Sequence, residues 1–184
     1  VHDNAYSEIG FDGYLPPSIM ERPGARDVAI ELFSCSKSYN MTGWRIAFAC
    51  GNAEAIKTLG TVKSNIDSGA FTAIQDAAIE AMLGPQDDVA EMRAVYQRRR
   101  DQVLAALETI GLSARPSAGT IYVWARIPEG YTSADYAGLV LDKAGVIVPA
   151  GSAYGPDGEG YIRISLATPD DRLAEALQRM ADSL

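Results

Sequence analysis

Residues 28–50 read Val28-Ala29-Ile30-Glu31-Leu32-Phe33-Ser34-Cys35-Ser36-Lys37-Ser38-Tyr39-Asn40-Met41-Thr42-Gly43-Trp44-Arg45-Ile46-Ala47-Phe48-Ala49-Cys50. Residues 28–33 form a short apolar run of the kind that buried strands use, and residues 46–50 form another, closed by Gly51-Asn52. The polar stretch from Ser34 to Arg45 has too few apolar residues for a core and predicts a loop between two core strands. Such loops are where binding and catalytic side chains gather. Upstream, His2-Asp3-Asn4-Ala5-Tyr6 reads as a strand end running into a loop, so residues 1–70 have an α/β character.

Beyond residue 70 the apolar period changes. Ile74, Ala77, Ala78 and Ala81 share one helical face until Gly84-Pro85; Val89, Met92, Tyr96, Val103, Leu107 and Ile110 then repeat at helical spacing up to Gly111, a residue suited to a helix stop. The rest predicts a small α+β unit. Residues 119–127 alternate like a strand, Ser133 caps a helix that Gly145 ends, and residues 146–149 and 161–167 read as further strands. Thr168 is placed as the N-cap of a last helix with Pro169 at its first position and Leu173, Leu177, Met180 and Leu184 on one face. The expected organisation is therefore residues 1–72, connecting helices over 73–110, and a small domain over 111–184.

Composition narrows the function. The 184 residues are 47% hydrophobic, with Lys+Arg 16 against Asp+Glu 24 and a net charge of −8, which disfavours nucleic acid as a partner. The one basic run, Arg98-Arg99-Arg100, is expected on a solvated helix face. No stretch approaches the roughly 20 apolar residues of a membrane span. Cys35 and Cys50 read as reduced thiols in a cytoplasmic protein. They and His2 do not make a metal set, and a hydrolase triad would have to use His2, the only imidazole, without a nucleophile elbow. The glycine-rich residues 151–160 lack the lysine of a phosphate-binding loop and predict a turn with positive backbone angles.

Lys37 stands out from this background. It follows a core strand, has Ser34 and Ser36 before it, and has Arg45 eight residues later across a Gly43 turn. A lone lysine in a serine-rich loop is ordinarily a surface residue. An amine beside two hydroxyls and a guanidinium is also what a carbonyl nucleophile next to a phosphate ester requires, which points to pyridoxal phosphate. That cofactor needs a carboxylate against its ring nitrogen and is commonly tuned by a phenol at its ring hydroxyl; Asp3 and Tyr6 supply both chemical types.

Asp3-Asn4-Ala5-Tyr6, Ser34-x-Ser36-Lys37 with Gly43-Trp44-Arg45, and Tyr161-Ile162-Arg163-Ile164-Ser165 resemble the class I/II pyridoxal-phosphate aminotransferases of fold type I, along essentially the whole chain. Lys63-Ser64-Asn65-Ile66-Asp67-Ser68-Gly69, Gly119-Thr120-Ile121-Tyr122-Val123-Trp124 and Pro128-Glu129-Gly130-Tyr131-Thr132-Ser133 are similar to the LL-diaminopimelate aminotransferases among them. The resemblance implies the C-terminal part of a fold-type-I large domain followed by a small α+β domain. It also implies roles: Lys37 would hold pyridoxal 5'-phosphate covalently and carry the substrate Cα proton. Asp3 and Tyr6 would meet the cofactor ring; Ser34, Ser36 and Arg45 would meet its phosphate. Arg163 would grip the substrate carboxylate, and Asn65 would reach a carboxylate across a homodimer boundary or simply cap its loop.

The implied activity is amino-group transfer between an amino acid and a 2-oxo acid, in lysine biosynthesis. Because the match begins at the Asp-x-x-Tyr element, the chain reads as roughly half an aminotransferase, beginning in the middle of a larger product and inactive alone. The alternatives are a non-catalytic, self-associating fragment, or another fold-type-I enzyme such as an alanine or aspartate aminotransferase or a lyase. In a half-enzyme, Val28, Ile30, Phe33, Ile74 and Ala78 are expected to pack against something outside this sequence.

Overall fold

A computed structural model describes residues Val1 to Leu184, which divide into two compact units, Val1–Arg93 and Ala94–Leu184. The first holds strands β1 (His2–Asp3), β2 (Ile30–Ser34) and β3 (Ala47–Gly51) and helices α1 (Ala25–Val28), α2 (Cys35–Ser38), α3 (Ala53–Ser64) and α4 (Thr72–Leu83). The division falls inside α5 (Asp87–Ile110). The first sheet has the order β1-β2-β3, with β1 parallel and β3 antiparallel to the central strand.

Both apolar runs around the polar stretch form strands, in register from Ile30↔Gly51 to Ser34↔Ala47. Phe33 and Phe48 face each other in that ladder and stack with ring centroids 4.9 Å apart, the kind of cross-strand pair that stabilises a two-strand contact. The first strand starts later than its apolar run. Gly24, at φ 77°, lets the chain enter a helical turn, and the Ala29 N–H closes it on the Ala25 carbonyl at 2.8 Å, which leaves Val28 outside the sheet and 85% exposed.

The stretch expected as a loop is wound into a helical turn, Cys35–Ser38, and a 3-10 turn, Thr42–Trp44, with Cys35, Ser36, Ser38 and Met41 buried. Its two buried apolar residues explain the difference. Cys35 and Met41 cluster with Ala78 of α4, flanked by Tyr39, Ile46, Ala77, Ala81 and Met82. Ala78 thus closes the core of its own unit and is not an outward-packing residue. The cluster's apolar burial, at about 0.8 kcal/mol per buried methylene, outweighs the loop preference of serine. Asn52 starts α3 by accepting the Ala55 N–H at 2.8 Å, and the break between α4 and α5 falls at Gly84-Pro85 as the sequence predicts.

The second unit contains β4 (Ser113–Ala114), β5 (Tyr122–Arg126) and β6 (Tyr161–Ser165) in one antiparallel sheet, with α6 (Ser133–Ala144) and α7 (Asp170–Ser183). Strict alternation buries Val123 and Ala125 of β5 and Ile162 and Ile164 of β6 on one face, while Tyr122, Trp124, Arg163 and Ser165 stand on the other. Leu173, Leu177 and Met180 form the buried stripe of α7; at about 2 kcal/mol each they dominate surface pairs such as Arg172–Glu175, worth under about 1 kcal/mol.

Four expectations are corrected here. Residues 146–149 run extended without joining a ladder; Pro149 has no N–H to give, and only its carbonyl, accepting from the Arg163 N–H at 3.0 Å, and the Ala150↔Ile162 bridge tie the segment down. The cap of α6 is Thr132, whose Oγ1 accepts the Asp135 N–H at 3.1 Å. Ser133 is buried instead, and its hydroxyl accepts the N–H groups of Gly160 at 2.9 Å and Tyr161 at 3.2 Å. The last helix begins at Asp170 with Pro169 as its N-cap, because the Pro169 carbonyl accepts the first helical bond, from Leu173 at 2.8 Å. The basic run is a solvated face only at Arg98, whose side chain is 59% exposed: Arg100 is buried, donating to the Ser117 carbonyl at 3.0 Å and bonded to Asp101. Arg99 donates to the Leu166 carbonyl at 2.9 Å and, with Arg98, binds Asp170.

Four carboxylates sit below their ordinary range, among them Asp67, held down by hydrogen bonds from Lys63 and the Gly69 N–H. Arg99 and Arg98 hold Asp170 down, and the Ser133 N–H holds Glu159 down. Burial pushes Glu31 up, but hydrogen bonds from Ser18, Asn4 and His2 outweigh it. A carboxylate depressed in the folded state contributes its stability above the unfolded value near 4.5 and loses it as pH falls through the folded value. The thermal unfolding midpoint is therefore expected to hold steady from about pH 7 to pH 5.5 and to fall steadily below about pH 4.5. A midpoint that rises on acidification would contradict this ledger of charges.

Candidate active site

Topology gathers most of the candidate residues at one edge of the first sheet. Because β1 and β2 are parallel, both leave the sheet on the same side: Asp3 ends the one, and Ser34 ends the other and leads directly into Lys37. Strand β3 is antiparallel and its first residue, Ala47, pairs with Ser34, so Arg45 enters from that same edge. Carboxyl ends of parallel strands are where open α/β sheets bind ligands.

The local fold then fixes each group. Ser34 is the N-cap of α2 without spending its hydroxyl on a capping bond, and no acidic residue stands in that first turn. Ser36 is buried, Lys37 half-buried. The Thr42 hydroxyl donates to the Ser36 carbonyl at 3.1 Å, and Arg45 Nη1 donates to the Thr42 carbonyl at 2.9 Å, which ties the guanidinium to the lysine turn. Arg45 itself is in the left-handed region at φ 54°, a conformation that costs a non-glycine residue about 1 kcal/mol and that clusters at functional sites. Two hydroxyls, a guanidinium and an adjacent primary amine form a donor set that fits a phosphate ester beside a carbonyl-reactive carbon. Asp3 is exposed and Tyr6 half-buried, its carbonyl accepting the Ile9 N–H at 2.9 Å.

Asn65 is the C-cap residue of α3; its side-chain amide donates to the Thr61 carbonyl at 2.8 Å and is exposed. That bond is the loop-capping arrangement named above as its alternative.

Arg163 belongs to the second unit, on the outer face of β6 and paired in register with Trp124. Its guanidinium carbon lies 3.9 Å from the ring centroid of Tyr122 and 4.1 Å from that of Tyr154. A guanidinium carbon over these rings makes cation–π contacts, which spend none of its N–H donors and leave them for a carboxylate. Tyr154 also meets Trp124 edge-on at 5.6 Å, and the two line, with Asp157, Gly158 and Tyr161, an open hollow of about 470 Å³. The turn that delivers Tyr154 depends on Gly151 and Gly158, since a Cβ on Gly151 would lie 2.1 Å from the Gly158 carbonyl oxygen. Close approach, more than positive φ, is what these two glycines provide; Gly155 and Gly160 are the ones with φ above zero.

The family profile of Aminotransferase class I and II matches residues 1–180. The chain belongs to the class I and II aminotransferases. LL-diaminopimelate aminotransferase 2 of Nostoc sp. (strain PCC 7120) is 53% identical over 99% of this chain and 47% of its own length. The LL-diaminopimelate aminotransferase of Moorella thermoacetica is 52% identical over 97% and 46%. The chain spans about half the length of these curated relatives. Among solved aminotransferases, one from Staphylococcus aureus superposes with a TM-score of 0.92 at 39% identity, covering 98% of this chain and 48% of that one. The aromatic aminotransferase from Pyrococcus horikoshii superposes with 0.93 at 35% identity, covering 98% and 49%. The fold is accordingly part of a fold-type-I aminotransferase. Within this family member, sequence reading missed Glu31, Tyr122 and Tyr154. The strand alternation that sets Tyr122 on the Arg163 face was a usable signal; nothing local marks the other two.

Proposed function

We propose that the whole protein to which these residues belong is a pyridoxal-phosphate-dependent LL-diaminopimelate aminotransferase, exchanging an amino group between that amino acid and a 2-oxo acid. The observation that carries the reading is the turn that bears Lys37, preceded by Ser34 and Ser36 and tied through Thr42 to Arg45, at the sheet edge where the Asp3 strand also leaves. The substrate is favoured by the relatives' names. In this reading residues 1–72 belong to the large domain, 73–110 connect, and 111–184 form the small domain. The protein acts as a homodimer in the cytoplasm, where the free thiols Cys35 and Cys50 suit a reducing compartment. No helix is long and apolar enough to cross a membrane.

Pyridoxal phosphate, when bound, supplies an electron sink for the bonds at the substrate Cα. The chain's own residues do the rest. Ser34, Ser36 and Arg45 would hold the phosphate, the Asp3 carboxylate would face the ring nitrogen and the Tyr6 phenol the ring hydroxyl. The Lys37 amine would hold the cofactor carbonyl and would be the group that takes the Cα proton and returns it. Arg163 fixes the α-carboxylate and so orients the Cα–H bond.

The test mixes the full-length protein, loaded with pyridoxal phosphate, with a panel of single amino acids and follows its visible absorption. LL-diaminopimelate is expected to bleach the band and a 2-oxo acid to restore it. Bleaching by aspartate or aromatic amino acids alone would remove the substrate assignment; no bleaching by any amino acid would remove the reaction class.

A further inference from the structure

The central strand of the first sheet carries one residue that neither its apolar surroundings nor the candidate chemistry explains. Glu31 is fully buried. Its carboxylate accepts from His2 Nδ1 at 2.9 Å and Asn4 Nδ2 at 2.7 Å through one oxygen, and from the Ser18 hydroxyl through the other. No buried side-chain polar atom lacks a partner, so the charge is fully compensated where it stands.

The identity of two of those donors is what matters. His2 and Asn4 flank Asp3 directly in sequence, and the strand alternation sends Asp3 to the opposite side from both. Glu31 is itself the ladder partner of His2, and Asp3 pairs with Leu32. Strand β1 pairs with β2 through His2 and Asp3, and the Asn4 N–H to Leu32 carbonyl bond at 2.9 Å continues that pairing. A one-residue slip in it would turn Asp3 to the wrong face. A slip would also strand a buried carboxylate without its donors, which is far less favourable than the slip alone. The strand that bears Glu31 ends three residues later at Ser34 and delivers Lys37.

We propose that Glu31 is a positioning residue that locks Asp3 in register with the strand carrying Lys37, by holding both sequence neighbours of Asp3 on one buried carboxylate. It touches no cofactor atom and acts through Asp3. The inference rests on the reading of Asp3 as the partner of the pyridoxal-phosphate ring nitrogen.

A double-mutant cycle on the full-length protein tests it, with the dissociation constant for pyridoxal phosphate and the visible band of the bound cofactor as readouts. Glu31→Gln keeps the volume but loses the charge and one acceptor. It is expected to weaken binding about tenfold and to shift the band toward that of Asp3→Ala, and the same change made in the Asp3→Ala background is expected to add almost nothing. Equal weakening in both backgrounds would show that Glu31 supports only the general fold and would overturn the proposal. A normal Glu31→Gln beside an altered Asp3→Ala would overturn it too, leaving the Asp3 reading in place. An Asp3→Ala protein with unchanged affinity and band would remove the Asp3 reading, and this inference with it. Should Glu31→Gln fail to fold, Asn4→Ala and Ser18→Ala, which each remove one donor, run the same cycle with the same two outcomes.

Discussion

Replacing Lys37 by alanine in the full-length protein is expected to lower amino-group transfer by at least about a thousandfold, since proton transfer by a positioned side chain alone contributes roughly 10²–10⁴-fold. Alanine also removes the amine that binds the cofactor carbonyl, so the visible band should move to that of non-covalently held pyridoxal phosphate. Lys37→Arg separates charge from chemistry. It keeps a cation beside the phosphate donors but cannot lose a proton near neutral pH, and it should be as inactive as alanine while retaining more affinity for the cofactor. Folding should survive both changes. The cluster under this turn is made by Cys35, Met41 and Ala78, and Lys37 is only half-buried, so the unfolding free energy is expected to stay within about 0.5 kcal/mol of the parent. Turnover within tenfold of the parent for Lys37→Ala would refute its assignment.

Replacing Arg163 by lysine is expected to lower kcat/KM for amino-acid substrates by about a hundredfold, close to the 1.5–3 kcal/mol typical of a hydrogen bond to a charged group. Most of that should appear in KM. Lysine preserves the charge but not the planar fork, and its ammonium does not reproduce the guanidinium contacts with the Tyr122 and Tyr154 rings at 3.9 and 4.1 Å. An amine substrate without an α-carboxylate should react equally slowly with parent and variant. This control distinguishes lost carboxylate recognition from general damage. Tyr154→Phe keeps the ring and should leave KM nearly unchanged, whereas Tyr154→Leu should raise it several-fold, in line with a cation–π contact of about 1 kcal/mol. Equal loss for substrates with and without the carboxylate would refute the role given to Arg163.

The Lys37 expectation rests on short-range signals, whereas that for Arg163 rests on the family resemblance of residues 161–165. Two apolar runs around Ser34-x-Ser36-Lys37, and an arginine eight residues on, need only neighbouring residues to be read. The strand pairing of residues 30–34 with 47–51, the helix break at Gly84-Pro85 and the stripe of Leu173, Leu177 and Met180 follow in the same way from periodicity and turn chemistry.

Glu31 was not legible. In a strand of apolar neighbours it reads as an outward residue, and it is buried only because His2, 29 residues away, Asn4 and Ser18 converge on it. The same holds for Arg100, buried by the Ser117 carbonyl, for Ser133, whose hydroxyl pins a turn 27 residues on, and for Tyr154, brought over Arg163 by two glycines in close approach. Local residues by themselves therefore determined most of the strands and helices and where Lys37 stands among them. Only the tertiary structure decided which polar groups go inside and which rings flank Arg163, because burial of a polar group depends on partners that are distant in sequence and supplied only by packing.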